Sequence, residues 1–175
     1  MKVRRKLFFP LCFGALVFLS SFAFAINNED LQRSSLLGLS GVFIVVEGSR
    51  FVSLHDTREQ LEEMLNSAGI RVLTMEEASK TKGVPFLYVK VDTLKDTGND
   101  YFYRTRVELR QWSSLLRAPD IRVYTGTWSS EVIGVTKRDS LREAISYALR
   151  DIVYRFIYDY RTVNPRRVEE KRIED

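Results

Sequence analysis

Residues 86–112 constrain the fold more than any other stretch, because two alternating runs flank a short polar connection. Pro85 opens Phe86-Leu87-Tyr88-Val89-Lys90-Val91-Asp92, which sets Leu87, Val89 and Val91 on one side of an extended chain. Lys95-Asp96-Thr97-Gly98-Asn99-Asp100 supplies turn residues. On the return, Tyr103, Thr105, Val107 and Leu109 share one face, and Arg104, Arg106, Glu108 and Arg110 the other. The pattern predicts a long β-hairpin with one face on a core and one in water.

The remaining elements arrange themselves around that hairpin. Gly41 opens Val42-Phe43-Ile44-Val45-Val46-Glu47, a continuous apolar run that reads as a central strand. Thr57-Arg58-Glu59-Gln60 has capping-box spacing, and Leu61, Met64, Leu65 and Ala68 mark a helical face ending at Gly69. Ile70-Arg71-Val72-Leu73 reads as a short strand, and Thr74-x-x-Glu77 as the start of a one- or two-turn helix. Beyond the hairpin, residues 121–128 predict another strand, which residues 129–137 either extend or leave as a loop. Ser140-x-x-Glu143 then opens the longest helix, with Leu141, Ile145, Ala148, Leu149, Ile152, Phe156 and Tyr160 at helical spacing up to Asn164-Pro165. The expected fold is α+β, β-α-β-β-β-β-α. It is a two-layer sandwich whose mainly antiparallel sheet of about five strands carries two main helices on one face.

The first residues read as an export signal. Lys2, Arg4, Arg5 and Lys6 form a basic start, residues 7–20 are apolar apart from Pro10, and Ala23-Phe24-Ala25 is a cleavage site. The run is short for a membrane span, so no transmembrane segment is expected after processing. Residues 1–25 are therefore a cleaved leader, 26–40 a flexible lead-in, 41–165 one α+β domain, and 166–175 a charged, disordered tail. Removing those four basic residues from 27 Lys and Arg leaves 23, equal to the 23 Asp and Glu. No global field then draws the processed chain to nucleic acid or an anionic membrane. Cys12 leaves with the leader, so its core alone must hold the exported protein together.

No reaction is legible. Gly38-Leu39-Ser40-Gly41 lacks the G-x-S-x-G spacing of a nucleophile elbow. The single histidine, His55, lies beside Ser53 and Asp56, but triads are assembled from distant positions. One histidine and no retained cysteine exclude the common zinc sets, the glycines form no phosphate loop, and no cofactor is implied. The outward hairpin face is the candidate surface: Tyr88, Lys90, Arg104, Arg106 and Arg110, joined by Tyr124 and Trp128 if the next strand keeps phase. Basic groups interleaved with aromatics suit an anionic glycan, lipid headgroup, protein or single-stranded nucleic acid. Export makes nucleic acid the least favoured. The same alternation also describes a solvated face on which Arg104 and Arg106 neighbour Glu108 and Asp92.

The order of the leader, the Gly41–Glu47 strand, the Pro85–Val91 strand, Val107-Glu108-Leu109, Thr127-Trp128 and a helix closing on Val163-Asn164-Pro165 resembles uncharacterised exported bacterial proteins. The layout is similar to the amino-terminal domain of the translocation protein TolB and to the lipopolysaccharide-assembly lipoproteins. The resemblance implies a non-enzymatic binding or assembly module of the cell envelope, periplasmic or secreted, whose partner is an envelope protein or polymer. Those lipoproteins carry a lipidated cysteine that has no counterpart here, and no catalytic residues carry over. The alternative is an envelope hydrolase using His55 and Asp56 with a distant nucleophile. Amino-terminal sequencing of protein from the native host should begin at Ile26; an intact Met1 would refute the export reading.

Overall fold

The computed structural model describes residues 27–165; the expected leader and the charged tail lie outside the described residues. Four helices and four strands follow in the order α1 (Asn28–Ser34), β1 (Phe43–Gly48), α2 (Leu54–Ser67), α3 (Met75–Lys80), β2 (Phe86–Lys95), β3 (Asp100–Leu115), β4 (Ala118–Lys137) and α4 (Leu141–Val163). The sheet is mixed, in spatial order β1-β2-β3-β4, with β1 parallel to β2 and the other pairs antiparallel.

The hairpin forms with the expected faces. Leu87 lies opposite Leu109 and Val89 opposite Val107, and all four are fully buried. From the other side come Leu61 and Leu65 of α2 and the α4 stripe Leu149, Ile152, Val153, Phe156 and Ile157. One contiguous core results, on one face of the sheet. A satellite cluster of Val91, Tyr101, Leu141 and Ile145 continues it toward the β2–β3 turn. Tyr103 covers Gly134 on the facing strand so closely that a Cβ there would lie 2.5 Å from its ring.

Four strands replace the five expected. Residues 70–73 make only a single parallel bridge, Val42 to Val72. Gly69, in the left-handed region at φ 78°, turns the chain immediately before them, and Thr74 already caps α3 with its full capping box. Too few residues remain between those two signals to extend a ladder. β1 consequently lies at the edge rather than the centre. Its continuous apolarity has another use: Ile44 is buried in the core while Phe43 packs on Phe86 of the opposite face, centroids 5.4 Å apart.

Residues 129–137 extend the strand, so β4 runs its whole length against β3. A register shift sets Leu109 opposite Trp128 but Arg110 opposite Gly126, leaving Thr127 as an extra residue. Such a bulge reverses the facing of everything beyond it. Trp128 therefore points inward, 3% exposed, and meets Phe156 edge-on at 5.1 Å, whereas Tyr124 keeps the outward phase.

Two helix starts also differ from the capping signals. α2 begins at Leu54, where the Ser53 hydroxyl accepts from the Asp56 amide at 3.3 Å, and Thr57 is buried within the helix. Ser53 offers the same chemistry as Thr57 and adds a turn. Ser140 makes no side-chain cap because a 3-10 turn, Arg138–Ser140, has already brought its backbone into helical geometry.

The segment expected to be a flexible lead-in is instead folded. Asn27 caps α1, and Leu36 and Leu39 are buried. A seven-residue helix is too short to show a period or to persist alone. Tertiary bonds hold it. Arg33 Nε donates to Asp159 Oδ1 at 2.8 Å, the Ser129 amide to Gln32 Oε1 at 2.9 Å, and Ser35 Oγ to the Thr127 carbonyl at 3.1 Å. Asn164 closes the clasp, accepting from the Gly38 amide and donating to the Leu36 carbonyl, each at 2.8 Å.

Leu109→Ala should cost about 2–5 kcal/mol through lost transfer energy and the cavity left behind. Urea unfolding should show a lower midpoint with an unchanged slope.

Candidate functional site

α2 and α4 pack on one face of the sheet, and the five candidate residues lie on the other. Cross-strand pairing fixes their neighbours: Tyr88 faces Glu108, Lys90 faces Arg106, and Asp92 faces Arg104. Each cation there has an acidic partner. Arg104 binds Glu131 through Nε at 2.9 Å and Nη2 at 2.6 Å. Lys90 lies 3.6 Å from Glu47 and 3.8 Å from Asp92. Arg106 and Arg110 both pair with Glu108, the latter through Nε at 2.8 Å. Squeezed between two guanidinium groups, the Glu108 side chain is only 7% exposed. The middle of the face is thus an alternating charge ladder, and exposed pairs of this kind contribute about 0–1 kcal/mol each.

Electrostatics at the β1–β2 edge follow from one hydrogen bond. The Tyr88 hydroxyl donates to Glu47, and with Lys90 nearby this holds the Glu47 carboxyl below the usual carboxylate range. The same bond raises Tyr88, because losing the phenol proton would set two anions together. Arg110 lies over the Tyr88 ring, 4.0 Å from its centroid, a cation–π contact.

Beside the ladder the sequence signal missed an aromatic row. Phe43, Phe86, Tyr124 and Trp112 succeed one another at centroid separations of 5.4, 5.9 and 5.4 Å. Trp112 remains 50% exposed and Tyr124 38%. Gly126 stands opposite Arg110 on β4, and a Cβ there would meet the Glu108 carboxylate at 3.7 Å. The row is pinned from below. Tyr124 Oη donates to the Val84 carbonyl at 3.2 Å, and the Trp112 amide to the Gly83 carbonyl at 2.8 Å. Val84 has φ 49°, a conformation a β-branched residue rarely adopts and one that costs on the order of 1–3 kcal/mol. Aromatic residues spread over residues 43–124 carry no local spacing, so only the strand register could have revealed the row.

His55 stands apart from all of this. It occupies the first turn of α2, 78% exposed, with Nε2 3.2 Å from Glu59 Oε1. A small cavity of about 190 Å³ between the β1–α2 loop and α4 is lined by Ser53, Asp56, Gln60, Arg142 and Ser146 among others, but not by His55. An open cleft of about 440 Å³ lies between α1, α4 and β4. Its central carboxylate, Asp159, is already shared between Arg33 and Trp128 Nε1, the latter at 2.9 Å. Among the described residues, no three His, Cys, Asp or Glu side chains converge on a metal position, and no helix is long and apolar enough to cross a membrane.

The chain matches no protein-family model and no curated protein. The site therefore stands on its own geometry.

Tyr88→Phe removes the proton that holds Glu47 low. Glu47 has a depressed folded pKa, so its contribution to stability is present above its unfolded pKa and is lost as pH falls through the folded one. In the variant, side-chain carboxyl NMR titration should show Glu47 moved up toward the ordinary glutamate value. An unmoved titration would mean that Lys90, not Tyr88, governs this carboxylate.

Proposed function

We propose that the protein is an exported binding or assembly module of the cell envelope, periplasmic or secreted. In this reading it is a two-layer α+β sandwich whose helix-free sheet face meets a protein or an envelope polymer. The observation that carries the reading is the aromatic row ending in Trp112 and Tyr124, exposed beside Arg110. Large rigid aromatics next to an arginine are the residue types that dominate binding energy at interfaces, because they bury much area at low entropic cost. The charge ladder contributes differently. Its cations are internally neutralised, so it selects a partner by local charge pattern rather than by net attraction.

The leader supports the compartment, and the similarity of layout to exported envelope modules supports the class of role. A partner taken up on the row would bury Trp112 and Tyr124 and leave the core untouched.

A Trp112→Ala/Tyr124→Ala variant should retain the far-ultraviolet circular dichroism of the wild type yet lose the envelope component that wild type captures from native-host membranes. Equal capture by the folded variant would remove the row from the interface.

A further inference from the structure

We propose that β4 pairs with β4 of a second copy of this chain, antiparallel about a twofold axis at Gly134, so that one sheet runs through both protomers. This goes beyond the binding role above and rests on a different part of the molecule. β4 is the last strand of the sheet, so one of its edges is free of any neighbouring strand. The Ser129 amide points off that edge, toward Gln32 of α1. Strand alternation then directs the backbone amides and carbonyls of Glu131, Ile133, Val135 and Lys137 the same way. Among the described residues, side-chain bonds from Gln32 of α1 and from Ser35 just after it reach this edge at Ser129 and Thr127. Among the described residues, nothing bonds the outward backbone groups of Glu131, Ile133 and Val135.

The sequence of that edge fits a second copy of itself. With Gly134 on the axis, Glu131 lies opposite Lys137 of the other protomer and Ile133 opposite its Val135, and the same pairs recur across the twofold. Opposite charges thus meet at each end and apolar side chains meet between them, the two favourable kinds of cross-strand pair. Glu131 and Lys137 are ion-paired within their own chain, with Arg104 and Asp100, but stay 42% and 70% exposed and able to share a second partner. Ile133 and Val135 are 66% and 55% exposed and adjoin Leu94 and Phe102, which are 69% and 44% exposed. Between Glu131 and Lys137 the edge is apolar and carries no proline or bulge, devices with which monomeric proteins normally blunt a free edge. Gly134 adds no side chain at the axis, where the two backbones would approach most closely, and the Tyr103 ring of its own chain occupies the space a Cβ would need.

Full-length protein, expressed in an exporting host in a Cys12→Ser background, tests this by light scattering after size exclusion. Wild type should elute as a concentration-dependent dimer. Ile133→Lys and Val135→Pro should each raise the dimer dissociation constant by about tenfold or more, at unchanged circular dichroism. Both substitutions sit at exposed positions, and Val135→Pro removes an amide that no described residue uses. The register is read separately. Differently tagged Ile133→Cys and Val135→Cys chains, mixed and mildly oxidised, should give predominantly the mixed disulfide dimer. A wild type that stays monomeric at every attainable concentration would overturn the proposal, as would a dimer indifferent to both substitutions. A monomer that instead pairs a foreign strand at this edge would overturn the second copy as its occupant.

Discussion

The seat of α4 on β3 and β4 is the contact on which the rest of this molecule depends. Phe156, fully buried and edge-on to Trp128, sits where the long helix, the bulged strand and the amino-terminal segment meet. Trp128 reaches that position only because Thr127 is an extra residue in β4. Its indole nitrogen donates to Asp159 of α4, and the same carboxylate takes the Arg33 guanidinium. One carboxylate thus ties α1, α4 and β4 together at the rim of an apolar contact, where a pairing shielded from water is worth more than at the open surface.

The opposite face of the sheet solves another problem. With no helix over it, it must satisfy water, and the ladder of alternating charges does so while leaving little field beyond the surface. Glu108 shows the cost of such a solution: burying a carboxylate is tolerable only because Arg106 and Arg110 flank it. Where the ladder stops, the side chains become aromatic toward the β3–β4 turn and, apart from Phe102, aliphatic toward the β2–β3 turn. The two ends of one face thus carry different chemistry, suited to different contacts.

What could be read from the sequence was what repeats locally. The alternation of residues 86–110 and the stripe of residues 141–160 placed the hairpin, its buried side and the last helix, because burial imposes those periods directly. Elements settled by a single residue were harder to see. Thr127 turns Trp128 inward, Gly69 and Thr74 stop a fifth strand, and Ser53 rather than Thr57 caps α2. α1 was invisible for a further reason: its anchors, Asp159 and Asn164, lie more than a hundred residues away in the chain. The five basic and aromatic candidates do share a face, yet the row from Phe43 to Trp112 emerges only from cross-strand register.

The Asn164 clasp has a mechanical consequence. Its amide group bonds Leu36 and Gly38, and Tyr160 Oη donates to the Leu39 carbonyl at 3.2 Å, so the segment after α1 and the end of α4 are laced side by side. A pull from the amino-terminal side would load the Gln32–Ser129 and Ser35–Thr127 bonds to β4 before it reached the clasp, whereas a pull from the carboxyl side would load the clasp first. A tether on the carboxyl side thus stays clear of the aromatic row, whereas one on the amino side strains the β4 edge.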